Sequence, residues 1–331
     1  MNNAFLSRSL RASIVALGCG LASLAACAQA PVDGAPSALV PAQRVAHALK
    51  AEMLAIASAG PRFVAVGDHG VVLLSDDAGK AWRQAKSVPV DVKLNSTSFV
   101  DGKQGWAVGH RGVILHTQDG GDTWVVQRMA AQEDRPLFAV HFFDAGHGVA
   151  VGLWSLVLVT EDGGKSWKEQ KLAPPPGGKT ADLNLLSLFA DSKGRLIATA
   201  EKGMVLVSED QGHAWRYVET GYKGSFWTGV AADGAWVVGG LRGSLYRSTD
   251  DGAHWDRIDT GSTSSITGLA ARGKQVLAVG LDGLVLHSND GGSHVKPEIR
   301  EDRLSLTAAA LLPDGKALLL SRNGPVESAG R

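Results

Sequence analysis

The stretch Val108-Gly109-His110-Arg111-Gly112-Val113-Ile114-Leu115-His116-Thr117-Gln118-Asp119-Gly120-Gly121-Asp122-Thr123-Trp124 decides the fold. Its left half, V-G-x-x-G-V-I-L, sets short β-rich runs on either side of a two-residue connection framed by glycines, the pattern of a reversal between antiparallel strands. Its right half, T-x-D-G-G-x-T-W, is an acidic turn. Asp119 is placed to accept hydrogen bonds from backbone N–H groups, Gly121 takes a positive φ at little cost, and Trp124 opens the next strand with a large apolar side chain. Strands are expected at about 94–100, 105–109, 112–117 and 123–127.

Working outward, the acidic turn returns at intervals of about forty residues. Its aspartates are Asp77, Asp119, Asp162, Asp210, Asp250 and Asp290, and its closing tryptophans are Trp82, Trp124, Trp167, Trp215 and Trp255, with Val295 in the sixth place. A seventh hairpin, 318–326, has neither an acidic turn nor a fourth strand. Four short strands per repeat make one propeller blade, so the chain reads as all-β, a seven-bladed β-propeller of four-stranded antiparallel blades with Asp-box turns. Closing such a ring requires the last blade to be completed, and the segment from Val40 to Lys50 is expected to supply the missing outer strand of the blade at 304–327. The proline-rich stretch 171–179 is a loop between blades. The expected organisation is an export signal at 1–27, a flexible linker at 28–41 and a single propeller at 42–331.

Basic and acidic residues balance at 33 each, and removing Arg8 and Arg11 with the leader leaves 31 basic residues against 33 acidic. Attraction to phosphates is therefore missing, and nucleic acid is not expected as a partner. Arg8 and Arg11 precede an apolar run from Ala12 to Ala26 that is too short and too rich in small residues for a membrane span, which marks an export signal. Both cysteines, Cys19 and Cys27, lie in this leader, so the folded part has no thiol for a disulfide, a metal or a nucleophile. Leu24-Ala25-Ala26-Cys27 resembles a bacterial lipobox, making Cys27 a lipidation candidate, while Ala26-Cys27-Ala28 also fits ordinary cleavage. The expected location is the periplasm, with attachment to the outer membrane if Cys27 is acylated.

Six carboxylates at one repeat interval invite a catalytic or calcium-binding reading. A radial fold holds them far apart, and their hydrogen bonds are committed to backbone, so they are read as architecture, as the repeated tryptophans are read as packing. No catalytic residue, cofactor site or metal-ligating set is assigned. What varies is the pair of residues at each hairpin tip: Asp68-His69, His110-Arg111, Leu153-Trp154, Glu201-Lys202, Leu241-Arg242, Leu281-Asp282 and Arg322-Asn323. All seven tips are expected to ring one face, opposite the acidic turns. His110, Arg111, Trp154, Lys202, Arg242 and Arg322 form the candidate partner-binding face, where cationic groups surround an aromatic anchor. Trp227, on an innermost strand, is left to line the central channel or to face the core.

The six turns resemble the Asp-box, or BNR, repeat found in sialidases, sortilin-type receptors and photosystem II assembly factors. The fuller unit from Gly105 to Trp124 resembles the photosystem II assembly/stability factor-like family, and the resemblance covers about residues 53–327, departing at Ser155, Ala200 and Val295. It implies a non-catalytic scaffold or assembly factor for a membrane protein or envelope complex. Relatives in the envelopes of non-photosynthetic bacteria extend the expectation to an envelope transporter, and the chain is expected to be monomeric. An Asp-box glycoside hydrolase of sialidase type is the first alternative. It would need a tyrosine nucleophile with a glutamate partner, and Tyr217, Tyr222 and Tyr246 show no such context. A glycan- or small-ligand-binding module is the second.

Overall fold

The computed structural model describes residues 39–326 apart from residue 131; the leader with Cys27 and the linker up to residue 38 lie outside the described residues. Seven antiparallel sheets follow one another along the chain, at 53–84, 94–128, 137–169, 185–219, 226–258, 266–299 and 306–326. Six have four strands in sequence order and the seventh has three. The innermost strands of successive sheets pack side by side, and that of the seventh blade, Leu306–Leu311, packs on that of the first, Met53–Ala59. The ring therefore closes between the seventh blade and the first. Among the described residues no helix is long and apolar enough to cross a membrane.

The second strand of each blade explains the stacking. Gly105–Gly109, Gly148–Gly152 and Leu196–Ala200 are buried at every position, because a neighbouring sheet covers each face. A short, continuously apolar run is how a strand buried on both faces is written. The core is thus a series of layers between blades. Val64, Val66 and Leu74 of the first blade meet Ala107, Leu115 and Trp124 of the second, and Trp106 of the second stacks on Phe142 of the third. Stability is the sum of such nearest-neighbour layers, as in other repeat folds.

The acidic turns are built as read. Thr117 Oγ1 donates to Asp119 Oδ1 at 2.9 Å, the amides of Gly121 and Thr123 donate to Thr117 Oγ1 and Asp119 Oδ1, and Trp124 Nε1 donates to the Gly121 carbonyl. The same set recurs around Asp77, Asp210 and Asp250. Donors converging on one carboxylate favour its charged form. The Ser166 hydroxyl and amide hold Asp162 down at about 2, and the His254 amide and ring do the same for Asp250. Around this face, ion pairs tie blade to blade: Asp122 receives Arg62 and Arg83 from the first blade, and Arg195 joins Asp191 of its own blade to Asp251 of the next.

The expected fourth strand of the seventh blade is not found. Residues 40–50 form no strand, and Ala48–Lys50 make a short 3-10 turn whose Leu49 carbonyl lies against Gly324. Upstream, the Ala42 amide donates to the Val88 carbonyl and the Val45 amide to Gln84 Oε1, so this segment lies along the first blade. The reason is the shortness of the available edge. The third strand of the seventh blade, Gly324–Val326, has three residues with Pro325 at its centre, and proline removes a ladder donor. Closure rests instead on side chains. Phe63 packs with Leu312 and Leu318, Met53 and Leu73 pack with Ala308 and Leu320, and Thr307 Oγ1 donates to the Met53 carbonyl.

Candidate functional site

Six of the seven hairpin tips are three-residue turns rather than the two-residue connection read from the sequence, which only Arg322-Asn323 of the seventh blade keeps. The amide of a tip's first residue donates to the carbonyl just before its own innermost strand, as from Asp68 to Glu52, His110 to Lys93 and Leu153 to Pro136. The amide of its third residue donates to the connection entering the next blade, as from Gly70 to Val92 and Gly203 to Gly224. Tips and inter-blade connections therefore share one face. The third position needs glycine: at Gly203, with φ of +68°, an added Cβ would lie 1.9 Å from the Tyr222 carbonyl oxygen. In the third blade Ser155 stands there with φ of +55°, and its hydroxyl donates to the Leu183 carbonyl.

The second tip position is also left-handed, yet it is never glycine. His69, Arg111, Trp154, Lys202, Arg242 and Asp282 have φ between 51° and 57°. A left-handed L-residue costs about 1–2 kcal/mol, so six blades hold strain that glycine would relieve. Every one of these residues is exposed, and Trp154 shows 58% of its surface to solvent.

Inside the ring of tips, a second repeated device aims side chains at the axis. Near the start of every innermost strand the register slips by one residue against the second strand. A bulge of this kind re-aims the extra side chain. The extra residues are Leu54, Asn95, Phe138, Leu186, Trp227, Thr267 and Thr307, one from each blade, and all seven line a funnel of about 280 Å³ together with Glu52, Leu281 and Arg322.

The funnel has two unlike sides. Asn95, Thr267 and Thr307 spend their donors on the carbonyls of Leu137, Leu306 and Met53, the first residues of the next blades' innermost strands. They stitch the ring. Phe138, Leu186 and Trp227, on the consecutive third, fourth and fifth blades, have apolar surfaces half open to the funnel. The tips of those same blades carry Trp154, Lys202 and Arg242. On the other side, Glu52 sits between Lys93 Nζ at 2.8 Å and Arg322 Nε at 3.5 Å.

Of the six residues proposed from sequence, Arg322 alone borders the funnel. His110, Arg111, Trp154 and Arg242 stand on the rim, and Lys202 borders a separate recess with Tyr222 and Lys223. Arg111, Lys202 and Arg242 carry no ion pair among the described residues, whereas Arg322 shares Glu52. Partial burial and then Lys93 hold His110 below the usual histidine range, so it is neutral at pH 7. Four carboxylates of this face are engaged: Glu52 as above, Asp91 with His69 at 2.8 Å, Glu201 with Asn184, and Asp282 with Ser264. The six box aspartates belong to the turns of the opposite face.

Trp227 lines the funnel rather than the core. The other bulge residues were missed, although the repeat contains their signal. At each site a large apolar residue is followed by a variable one and then by Ala, Ser, Thr or Gly, as in Met53-Leu54-Ala55, Phe226-Trp227-Thr228 and Ile266-Thr267-Gly268.

Comparison with known proteins accords with this geometry. No curated protein matches the chain. Among solved structures, a protein described as YCF48 bound to D1 peptide superposes with a TM-score of 0.69 at 19% identity, covering 84% of this chain and 92% of that one. YCF48 from Cyanidioschyzon merolae gives 0.66 at 17% identity over 87% and 97%. A GH74 xyloglucanase from Xanthomonas campestris gives 0.65 at 15% identity, but this chain spans only 52% of it, and such likeness speaks to fold alone. The model of the family described as photosynthesis system II assembly factor YCF48 matches residues 43–134 and 126–223, more than half of the sequence. The chain belongs to that family.

Proposed function

We propose that this propeller is a non-catalytic assembly factor or scaffold that captures an extended segment of a membrane protein in the funnel of its tip face. The observation that carries this reading is the two-sided funnel. Apolar Phe138, Leu186 and Trp227 offer a seat for one or two buried side chains, and Lys202 and Arg242, at the tips of the fourth and fifth blades, offer for flanking acidic groups cations with no ion pair among the described residues. An aromatic anchor inside a charged rim is the usual plan of a protein-docking hot spot. The relative solved with a D1 peptide supports a peptide as the occupant. Export to the envelope, with or without a lipid on Cys27, and service to an envelope transporter belong to the same proposal and rest on the leader and the family resemblance. Four tip-face carboxylates, Glu52, Asp91, Glu201 and Asp282, already hold partners, which does not favour a hydrolase reading.

The test is capture from detergent-solubilised membranes, with the bound proteins identified by mass spectrometry. Trp227→Ala and the charge reversal Arg242→Glu are expected to abolish recovery of the same membrane protein while leaving circular dichroism and thermal unfolding unchanged. Equal recovery by both variants would remove the funnel from consideration.

A further inference from the structure

On the face of the acidic turns, the third and fourth blades meet through two histidines and a glutamate. His147 closes the turn between the first two strands of the third blade, Glu161 lies in that blade's acidic turn, and His213 lies in the acidic turn of the fourth. His147 is nine-tenths buried, while the side chains of Glu161 and His213 are about half exposed. His147 Nδ1 is 2.8 Å from Glu161 Oε2, and His213 Nε2 is 3.1 Å from Glu161 Oε1. One ligand atom from each residue can be chosen so that all lie within 4.8 Å of one another. Bonds of about 2.0–2.1 Å to a tetrahedral ion place ligand atoms about 3.4 Å apart, so separations of up to 4.8 Å need to close by at most about 1.4 Å, within reach of the half-exposed side chains.

The buried histidine is already held for such a role. Its Nε2 lies 2.8 Å from the Gln211 carbonyl oxygen, which only accepts, so Nε2 carries a hydrogen; Nδ1 donates to Glu161 Oε2 at 2.8 Å, and it is this second hydrogen that a metal ion would displace. A backbone carbonyl fixing the far nitrogen of an imidazole is the common outer support of a metal-bound histidine. The backbone at His147 is fixed as well, because Asp144 Oδ1 accepts the amides of Gly146 and His147. Two imidazoles and one carboxylate suit zinc-class ions and not calcium or magnesium, which require more oxygen ligands. The exposed side of the cluster leaves room for a water as fourth ligand.

We propose that His147, Glu161 and His213 bind one divalent transition-metal ion of the zinc class and thereby clip the third blade to the fourth. No local spacing announces the site, since His213 comes from a different blade, and the sequence reading assigned no metal ligands. His254 with Asp250 and His294 with Asp290 offer one imidazole and one carboxylate each, and they serve as internal comparisons.

The experiment is calorimetric titration of the chain, purified without a histidine tag, with Zn²⁺ and separately with Ca²⁺, accompanied by the visible absorption of the Co²⁺ form. One Zn²⁺ per chain, a tetrahedral Co²⁺ spectrum and no heat from Ca²⁺ are expected. His213→Ala and Glu161→Gln should each weaken Zn²⁺ binding at least about tenfold, and His254→Ala should leave it unchanged. Zn²⁺ should raise the unfolding temperature of the parent and of His254→Ala, but not of His213→Ala. His213 is half exposed, so its variant folds, and near-ultraviolet circular dichroism checks that. The absence of saturable Zn²⁺ binding, or binding that survives both site variants, overturns the proposal.

Discussion

Replacing Arg242 separately by glycine and by alanine isolates the strain held at the tips. Both variants lose the guanidinium and differ only in Cβ. Arg242 has φ of +55° and ψ of +42°, and its amide donates to Ser265 Oγ at 3.1 Å, a bond that either backbone retains. Alanine keeps the left-handed penalty of about 1–2 kcal/mol, whereas glycine removes it and adds about 0.5–1 kcal/mol of entropy to the unfolded chain. The glycine variant should therefore be more stable than the alanine variant by about 0.5–1 kcal/mol. For a chain of this size that is a rise of about 1–3 °C in unfolding temperature. Equilibrium denaturation in urea measures the first quantity and calorimetry the second. Capture of the membrane partner should be equally weak for both, because both lack the cation. Equal stability of the two variants would refute the claim of strain, and capture that followed stability instead of the side chain would refute the claim that the strain presents a binding group.

Three further outcomes follow from the packing and the charges. Arg195→Ala strips a salt partner from Asp191, whose side chain is 7% exposed, and removes a guanidinium lying 4.8 Å above the Trp236 ring; a loss of about 2–4 kcal/mol is expected in chemical denaturation. Asp162 and Asp250 titrate at about 2 in the fold, below the usual carboxylate range, so their contribution to stability is complete above about pH 4 and is lost as pH falls toward 2. The unfolding temperature should fall across that window, and Ser166→Ala should move the Asp162 share of the fall to higher pH. Gly324→Ala places a Cβ 1.8 Å from the Leu49 carbonyl oxygen at φ of +97°, so it should cost more than about 1 kcal/mol and expose residues 39–52 to limited proteolysis.

The parts of this molecule that were legible in the sequence are those that a blade completes by itself. The Thr117–Trp124 turn satisfies its own donors and acceptors, so its residue types are dictated locally, and its hydroxyl and aspartate recur in six blades and its tryptophan in five. The tip glycines repeat because each meets backbone at the same point, in its own blade or in the connection that follows it. The funnel was harder to read because a bulge is a relation between two strands: Trp227 is an extra residue only once Phe226 is known to face Gly240 and Thr228 to face Gly239. The His147, Glu161 and His213 cluster draws on two blades and obeys no interval. The expected strand at 40–50 failed for a different reason. Ring closure was argued from the general need to complete the last blade, whereas the actual edge is three residues long with a proline at its centre.

That edge has a mechanical consequence. At every other joint between blades the polypeptide itself runs across, but no described strand crosses from the seventh blade to the first. The joint is held by Phe63, Met53 and Leu73 against Leu318, Ala308 and Leu320, with one hydroxyl donor and the turn at Ala48–Lys50 laid beside it. Under tension between the two ends of the described chain, this joint takes the load before any other. Force spectroscopy should therefore record a first low-force opening that turns the ring into a linear stack, followed by the release of single blades.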